Sequence, residues 1–166
     1  MSSLNASSTG CHCQAIRQAA RRVTALYDAA MAPLGLRVSQ YGVLVRLQAW
    51  GPRGIQALAA DLVMDRTTLG RNMRPLERQG LLTALPDPAD RRGRLLAVTP
   101  AGAALVARAA PAWRAAQDAY EAQVGPDAAA ALRLSLADVV AALHTPAQPR
   151  RTAEPPPVRT RCRTAS

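Results

Sequence analysis

The stretch from Gly54 to Thr99 leaves room for few architectures. Ile55, Leu58, Ala59 and Leu62 fall at helical spacing, Val63–Met64 interrupts them, and a second helical pattern runs from Asp65 to Gln79. In that second pattern Leu69, Met73 and Leu76 stand at i, i+4 and i+7 and form an apolar stripe, while Thr67, Thr68, Arg71, Asn72, Arg74 and Arg78 lie outside it. Gly80 ends the pattern. Two short apolar runs, Leu81 to Leu85 and Arg94 to Thr99, then flank the polar tip Pro86-Asp87-Pro88-Ala89-Asp90-Arg91-Arg92-Gly93, which carries the chemistry of a hairpin turn. Helix, turn, helix and basic hairpin in this order describe a winged helix-turn-helix, whose second helix enters a major groove while the hairpin reaches duplex DNA beside it.

The surrounding composition agrees with a mainly α chain. Of 166 residues, 49% are apolar, yet none is phenylalanine, and a core of alanine, leucine and valine suits close-packed helices better than a sheet sandwich. The net charge of +10 rests on 21 basic residues that are all arginine. A GC-rich genome accounts for arginine replacing lysine, so only placement argues function, but the total still favours a polyanionic partner. No stretch is long and apolar enough to span a membrane, and MSSLNASSTG lacks the features of a secretory leader, so a cytoplasmic protein is expected. Three cysteines, Cys11, Cys13 and Cys162, are an odd number, which in that compartment argues against a disulfide framework.

Residues 1–13 read as a flexible N-terminus. From about Gln14 to Leu34, Val23, Leu26, Tyr27, Ala30, Met31 and Leu34 define one long amphipathic helix, closed by Pro33 and Gly35. Ser39 is the expected N-cap of the next helix, which stops near Gly51-Pro52. Thr99-Pro100 opens a helix running to about Val124, with Leu105, Ala109, Ala112, Ala116 and Tyr120 along one side and Trp113 next to them. Gly125-Pro126-Asp127 breaks it and starts the last helix, with a stripe of Leu132, Leu136, Val139, Val140 and Leu143. The expected division is a dimerisation part at 14–36 and 100–143 around a DNA-binding part at 39–99, the terminal helices being covered by a second copy. Residues 144–166, with five arginines against Glu154, read as a disordered basic Pro/Arg tail.

Thr67, Thr68 and Arg71 are the expected first contacts with DNA, hydroxyls and backbone N–H groups meeting phosphate and the Arg71 or Asn72 fork meeting purine edges. Pro75 deletes one helical hydrogen bond and predicts a bend near Arg74. In the hairpin, Asp90 is expected to brace Arg92 by a charge-assisted hydrogen bond, leaving Arg91 for phosphate, with Arg94 beginning the return strand. A polar helix exterior is ordinarily a solvated face, and Asp, Pro and Gly ordinarily make a turn. It is their order along the chain that argues for a reader of DNA.

The run Leu58-Ala59 through Asp65-Arg66-Thr67-Thr68-Leu69, then Pro75-Leu76-Glu77-Arg78-Gln79-Gly80-Leu81-Leu82, Asp87-Pro88-Ala89-Asp90-Arg91-Arg92 and Val98-Thr99-Pro100-Ala101-Gly102 resembles the MarR (multiple antibiotic resistance regulator) family over residues 14–143. The resemblance implies a homodimeric winged helix-turn-helix joined through its first and last helices, and ligand- or oxidant-relieved repression at a pseudo-palindromic operator. It places the recognition helix on Asp65 to Gln79 and the wing on Leu81 to Thr99. The family often carries a hydroxyl or other polar residue where this chain has Gly70, so the base contacts there are expected to differ.

Two routes for a signal follow. Cys11 and Cys13, ahead of the first helix and near Arg17, are candidate thiol sensors, with Tyr27 and Tyr41 as loosely matching tyrosine partners of the peroxide-sensing branch of the family. Alternatively, a small aromatic or phenolic ligand occupies a cleft lined by Tyr27, Trp50 and Trp113, its carboxylate met by Arg17 or Arg46. Cys11-His12-Cys13 supplies too few ligands for a metal, and no cofactor is expected. No nucleophile system, Walker loop or GxGxxG occurs, and His12 and His144 lie at domain edges, so catalysis is not expected. The rival readings are a sequence-indifferent architectural DNA-binding protein and a helical dimeric adaptor that does not bind DNA.

Overall fold

The computed structural model describes residues 10–143. The expectations for the first nine residues, for His144 and Cys162, and for the tail at 144–166 therefore lie outside the described residues. Helix α1 spans His12–Met31 and runs into a 3-10 turn at Ala32–Leu34; α2 spans Val38–Trp50, β1 Arg53–Gly54, α3 Ile55–Asp61 and α4 Arg66–Arg78. Strands β2 (Leu82–Pro86) and β3 (Arg94–Val98) follow, then α5 (Pro100–Val124) and α6 (Pro126–Ala142).

The stripes read from the sequence converge on one core. Met31 of α1, Val43 and Leu44 of α2, Leu58 of α3 and Leu69 and Leu76 of α4 are almost entirely removed from water. Leu96 of β3 and Val106 and Ala109 of α5 close the same cluster. Small side chains at Ala59 and Ala109 let helix backbones approach closely, which is how a core without phenylalanine reaches solid-like packing. A burial of this kind contributes on the order of 1.5–3 kcal/mol for each large aliphatic side chain.

Two local features differ from the sequence reading. Ser39 does not cap α2; it is the second residue of that helix and exposed. The orphan N–H of Val38 is instead satisfied by Asp28 Oδ1 at 2.8 Å, and Gln40 Oε1 accepts the Arg37 N–H at 2.9 Å. An acidic side chain reaching from α1 thus caps α2 and fixes the corner between the two helices. The hairpin is also not alone, because Arg53 and Gly54 pair antiparallel with Leu96 and Leu95 to give a sheet of order β1-β3-β2. A two-residue strand carries no periodicity that could betray it.

The chain turns through glycine where it must. At the end of α4, Gly80 takes φ +68°, its N–H donating to Glu77 O and that of Leu81 to Leu76 O, a Schellman closure that delivers Leu81 to the core and the chain into β2. Val63, in the turn between α3 and α4, has φ +51° although it is β-branched. Among the described residues, those from Asp127 cluster as a separate compact unit, so α6 is described by itself. It begins at Pro126 after Gly125, as expected, and leaves Leu132, Leu136, Val139, Val140 and Leu143 exposed. Among the described residues, no helix is long and apolar enough to cross a membrane.

Candidate nucleic-acid interface

Helix α4 starts on Asp65, whose carboxylate accepts the Thr68 N–H at 2.8 Å and also the Thr68 hydroxyl. The Thr68 hydroxyl holds the carboxyl below its ordinary value of 3.8, reinforced by the backbone N–H. Thr68 therefore commits its hydroxyl hydrogen inside the protein and keeps the oxygen as an acceptor. This cap fixes where the first turn of α4 begins, and so where its outer face points.

The exposed outer face of α4 is narrower than the polar face expected from the sequence. Leu69, Met73 and Leu76 are buried as expected, and Thr67, Arg71, Arg74 and Arg78, at i, i+4, i+7 and i+11, form an exposed row opposite. Asn72 is half-buried on the flank. That flank carries Pro75 and Gln79, which line a hollow with Asp28, Leu36, Arg37 and Gln40. Counting helical turns from Arg71 in both directions would have drawn this boundary from sequence. It also adds Arg66 and Gly70, which with Ile55, Thr67, Arg71 and Arg74 line a second hollow on the outward side.

The wing is built by β2 and β3 in register from Leu82–Val98 to Pro86–Arg94. Its tip is held by the Asp87 N–H to Gly93 O at 3.2 Å and the Gly93 N–H to Asp90 O at 2.8 Å. Asp87 Oδ1 accepts the Ala89 N–H, and Asp90 Oδ1 the Arg92 N–H, both at 2.9 Å. The expected bracing of the Arg92 guanidinium by Asp90 is thus replaced by an Asx turn: the carboxylate engages the backbone two residues on, because the tight turn brings that N–H to it first. Arg91, Arg92 and Arg94 are exposed. Among the described residues the one ion pair joins Arg53 to Asp61 at 3.7 Å, and none of the arginines of α4 or the wing takes part in it.

The candidate signal residues separate into four places. Cys11 is the N-cap residue of α1 and Cys13 lies within its first turn, rather than both preceding the helix; both are exposed. Tyr27, on the same helix, is roughly 21 Å farther along the axis, so it does not partner the thiols. Burial raises the pKa of Tyr27, with Tyr120 and Glu121 adding to it, and burial likewise raises that of Tyr41, against the opposing charge of Arg114. Tyr41 stacks at a tilt on Trp113, centroids 6.5 Å apart, and the two line a hollow with Val38, Gly42, Val45 and Arg46. Trp50 lies apart and exposed, with Arg46 and Arg53 at 5.9 and 5.3 Å from its ring. Tyr27 and Trp50 do not line the Tyr41–Trp113 hollow. Among the described residues no cluster of metal-ligating side chains occurs.

Against known proteins, the family model for MarR matches residues 36–93, from the start of the core through the wing tip. The transcriptional regulator MosR of M. tuberculosis, solved in complex with DNA, is 33% identical, with a TM-score of 0.69 over 80% of this chain and 95% of its own. The chain belongs to the MarR family. The repressor CouR, bound to a 23-mer DNA duplex, is 28% identical with a TM-score of 0.74, covering 84% of this MarR-family chain and 99% of CouR. MarR itself from E. coli, at 23% identity and a TM-score of 0.65, shares the fold over 78% of this chain and 97% of its own. No curated protein matches the sequence. This MarR-family protein is accordingly a DNA-binding transcriptional regulator.

Proposed function

We propose that the protein is a cytoplasmic homodimeric repressor that binds a pseudo-palindromic operator and is released by a small aromatic acid. The observation carrying this reading is the exposed Thr67-Arg71-Arg74-Arg78 row on a capped helix, next to a wing whose turn is closed by Asp87 and Asp90 and whose arginines form no ion pair among the described residues. The row offers forked donors to guanine edges and phosphates, and the wing arginines suit a flanking minor groove. CouR and MosR, solved with DNA, support duplex binding by this architecture. The exposed apolar stripe of α6 supports a second copy, since such a surface left in water is costly in a monomer.

The Tyr41–Trp113 hollow supports the effector: apolar walls from Val38 and Val45, with Arg46 at the rim to receive a carboxylate. An effector acts only by preferring one spacing of the two reading heads over the other. Thiol oxidation is the second route, favoured by the exposure of Cys11 and Cys13 at a helix start.

Footprinting on duplexes selected from a random library tests the function. A two-fold symmetric protected site, preferred at least about 10³-fold over random duplex, is expected. Equal affinity for all duplexes identifies an architectural protein instead, and absence of binding at low salt identifies an adaptor. Release by salicylate-like acids that is lost in Arg46→Ala supports the ligand route. Release by peroxide that is lost in the Cys11→Ser/Cys13→Ser variant supports the thiol route.

A further inference from the structure

The middle of α4 contains a glycine that the fold does not require. Glycine inside a helix costs about 1 kcal/mol relative to alanine, so its presence needs a reason. At Gly102 the reason is internal crowding, but at Gly70 an added Cβ meets nothing within 4 Å. Its backbone is not in the left-handed region either, so any L-residue is accommodated. No other part of the described chain comes within reach of a side chain at this position.

The place is nonetheless specific. Gly70 lies one turn from both Thr67 and Arg74 on the edge of the exposed row, and it lines the hollow whose other walls are Ile55, Arg66, Thr67, Arg71 and Arg74. A missing side chain between arginines leaves a notch with bare helix backbone on one side and the aliphatic Ile55 on the other. Guanidinium groups rimming it suit phosphates and guanine edges, whereas the notch offers no side-chain donor and suits an apolar projection. In a major groove the apolar projection is the C5-methyl of thymine.

We propose that Gly70 is a specificity-determining position, at which the α4 backbone comes close enough to the groove floor for a thymine methyl to enter the notch beside Ile55. The inference rests on the DNA-reading function above and deepens it. It predicts that a side chain at 70 harms recognition while helping the fold, the opposite of what a structural glycine does.

The experiment compares wild type, Gly70→Ala and Gly70→Ser on a duplex selected by the wild-type protein, with thymines replaced one at a time by uracil. Both variants should melt at or above the wild-type temperature and bind the selected duplex at least tenfold more weakly, with an unchanged salt slope because no charge is altered. One thymine per half-site should lose about fourfold in wild type on replacement by uracil, the worth of one buried methyl. The same replacement should cost nothing in Gly70→Ala. Wild-type affinity in both variants, or indifference of wild type to every uracil substitution, overturns the inference while leaving DNA reading intact. Failure of wild type to select any duplex overturns the reading itself, and this inference with it.

Discussion

Gly102 in the first turn of α5 lies directly against the backbone carbonyl of Leu81, so that a Cβ there would overlap that oxygen and come within 2.9 Å of Val98 Cγ1. Thr99 completes the junction: its N–H donates to Leu81 O, its hydroxyl donates to Gly80 O at 2.7 Å, and its Oγ1 accepts the Gly102 N–H at 3.1 Å. The Thr-Pro-x-Gly start of α5 is therefore the clamp that fixes the wing strands and the end of α4 to the long helix.

Gly102→Ala should accordingly destabilise the protein by roughly 2 kcal/mol or more, because the obstacle is main chain and cannot rotate away. Thr99→Ala should cost about 1–2 kcal/mol through the lost cap. Chemical denaturation measures both, and native stability in the Gly102→Ala variant would show that the junction yields.

Asp65 links stability to pH. Its folded pKa is lowered, so its contribution is complete above its ordinary value of 3.8 and disappears as pH falls through the lower folded value. Asp65→Asn retains an acceptor for the Thr68 N–H but does not titrate. The difference in melting temperature between wild type and Asp65→Asn should thus shrink as pH falls below the ordinary value of 3.8, and a constant difference would dissociate the carboxylate charge from the cap.

Val63 holds φ +51° in the turn between α3 and α4 while its side chain is 69% exposed. The left-handed region costs a β-branched residue about 1–2 kcal/mol, and asparagine tolerates it better. Val63→Asn should raise stability by up to about 1 kcal/mol without altering the salt dependence of DNA binding. A lower melting temperature would mean that Val63 makes a contact worth more than its strain.

Arg92→Ala should weaken binding uniformly across sequences and reduce the salt slope by about one unit, as expected for a phosphate contact. Arg71→Ala should cost about 1–3 kcal/mol and relax preference at one position per half-site. Titrations at several salt concentrations on two different duplexes separate these outcomes; identical behaviour of the two variants would withdraw the division of labour between helix and wing.

Leu136→Glu and Val139→Glu on α6 should convert a dimer into monomers, visible in sedimentation, and lower affinity for a two-half-site duplex by about 10²-fold or more through lost bivalency. Dimers that survive both substitutions would place the interface elsewhere.

What the sequence determined by itself was what local physics controls. The 3.6-residue stripes, the Thr99 cap, the Gly80 stop and the hairpin tip all act within a few residues, so the helices and the wing hairpin could be read without coordinates. Tertiary structure alone decided the relations between distant segments. Asp28 displaced Ser39 as the cap of α2 because a neighbouring helix brought a carboxylate to the right N–H. Arg53–Gly54 became a strand only because β3 lay beside it, and Tyr41 met Trp113 while Trp50 fell between two arginines. Each depends on which surfaces meet after packing, information that spacing along one element does not contain.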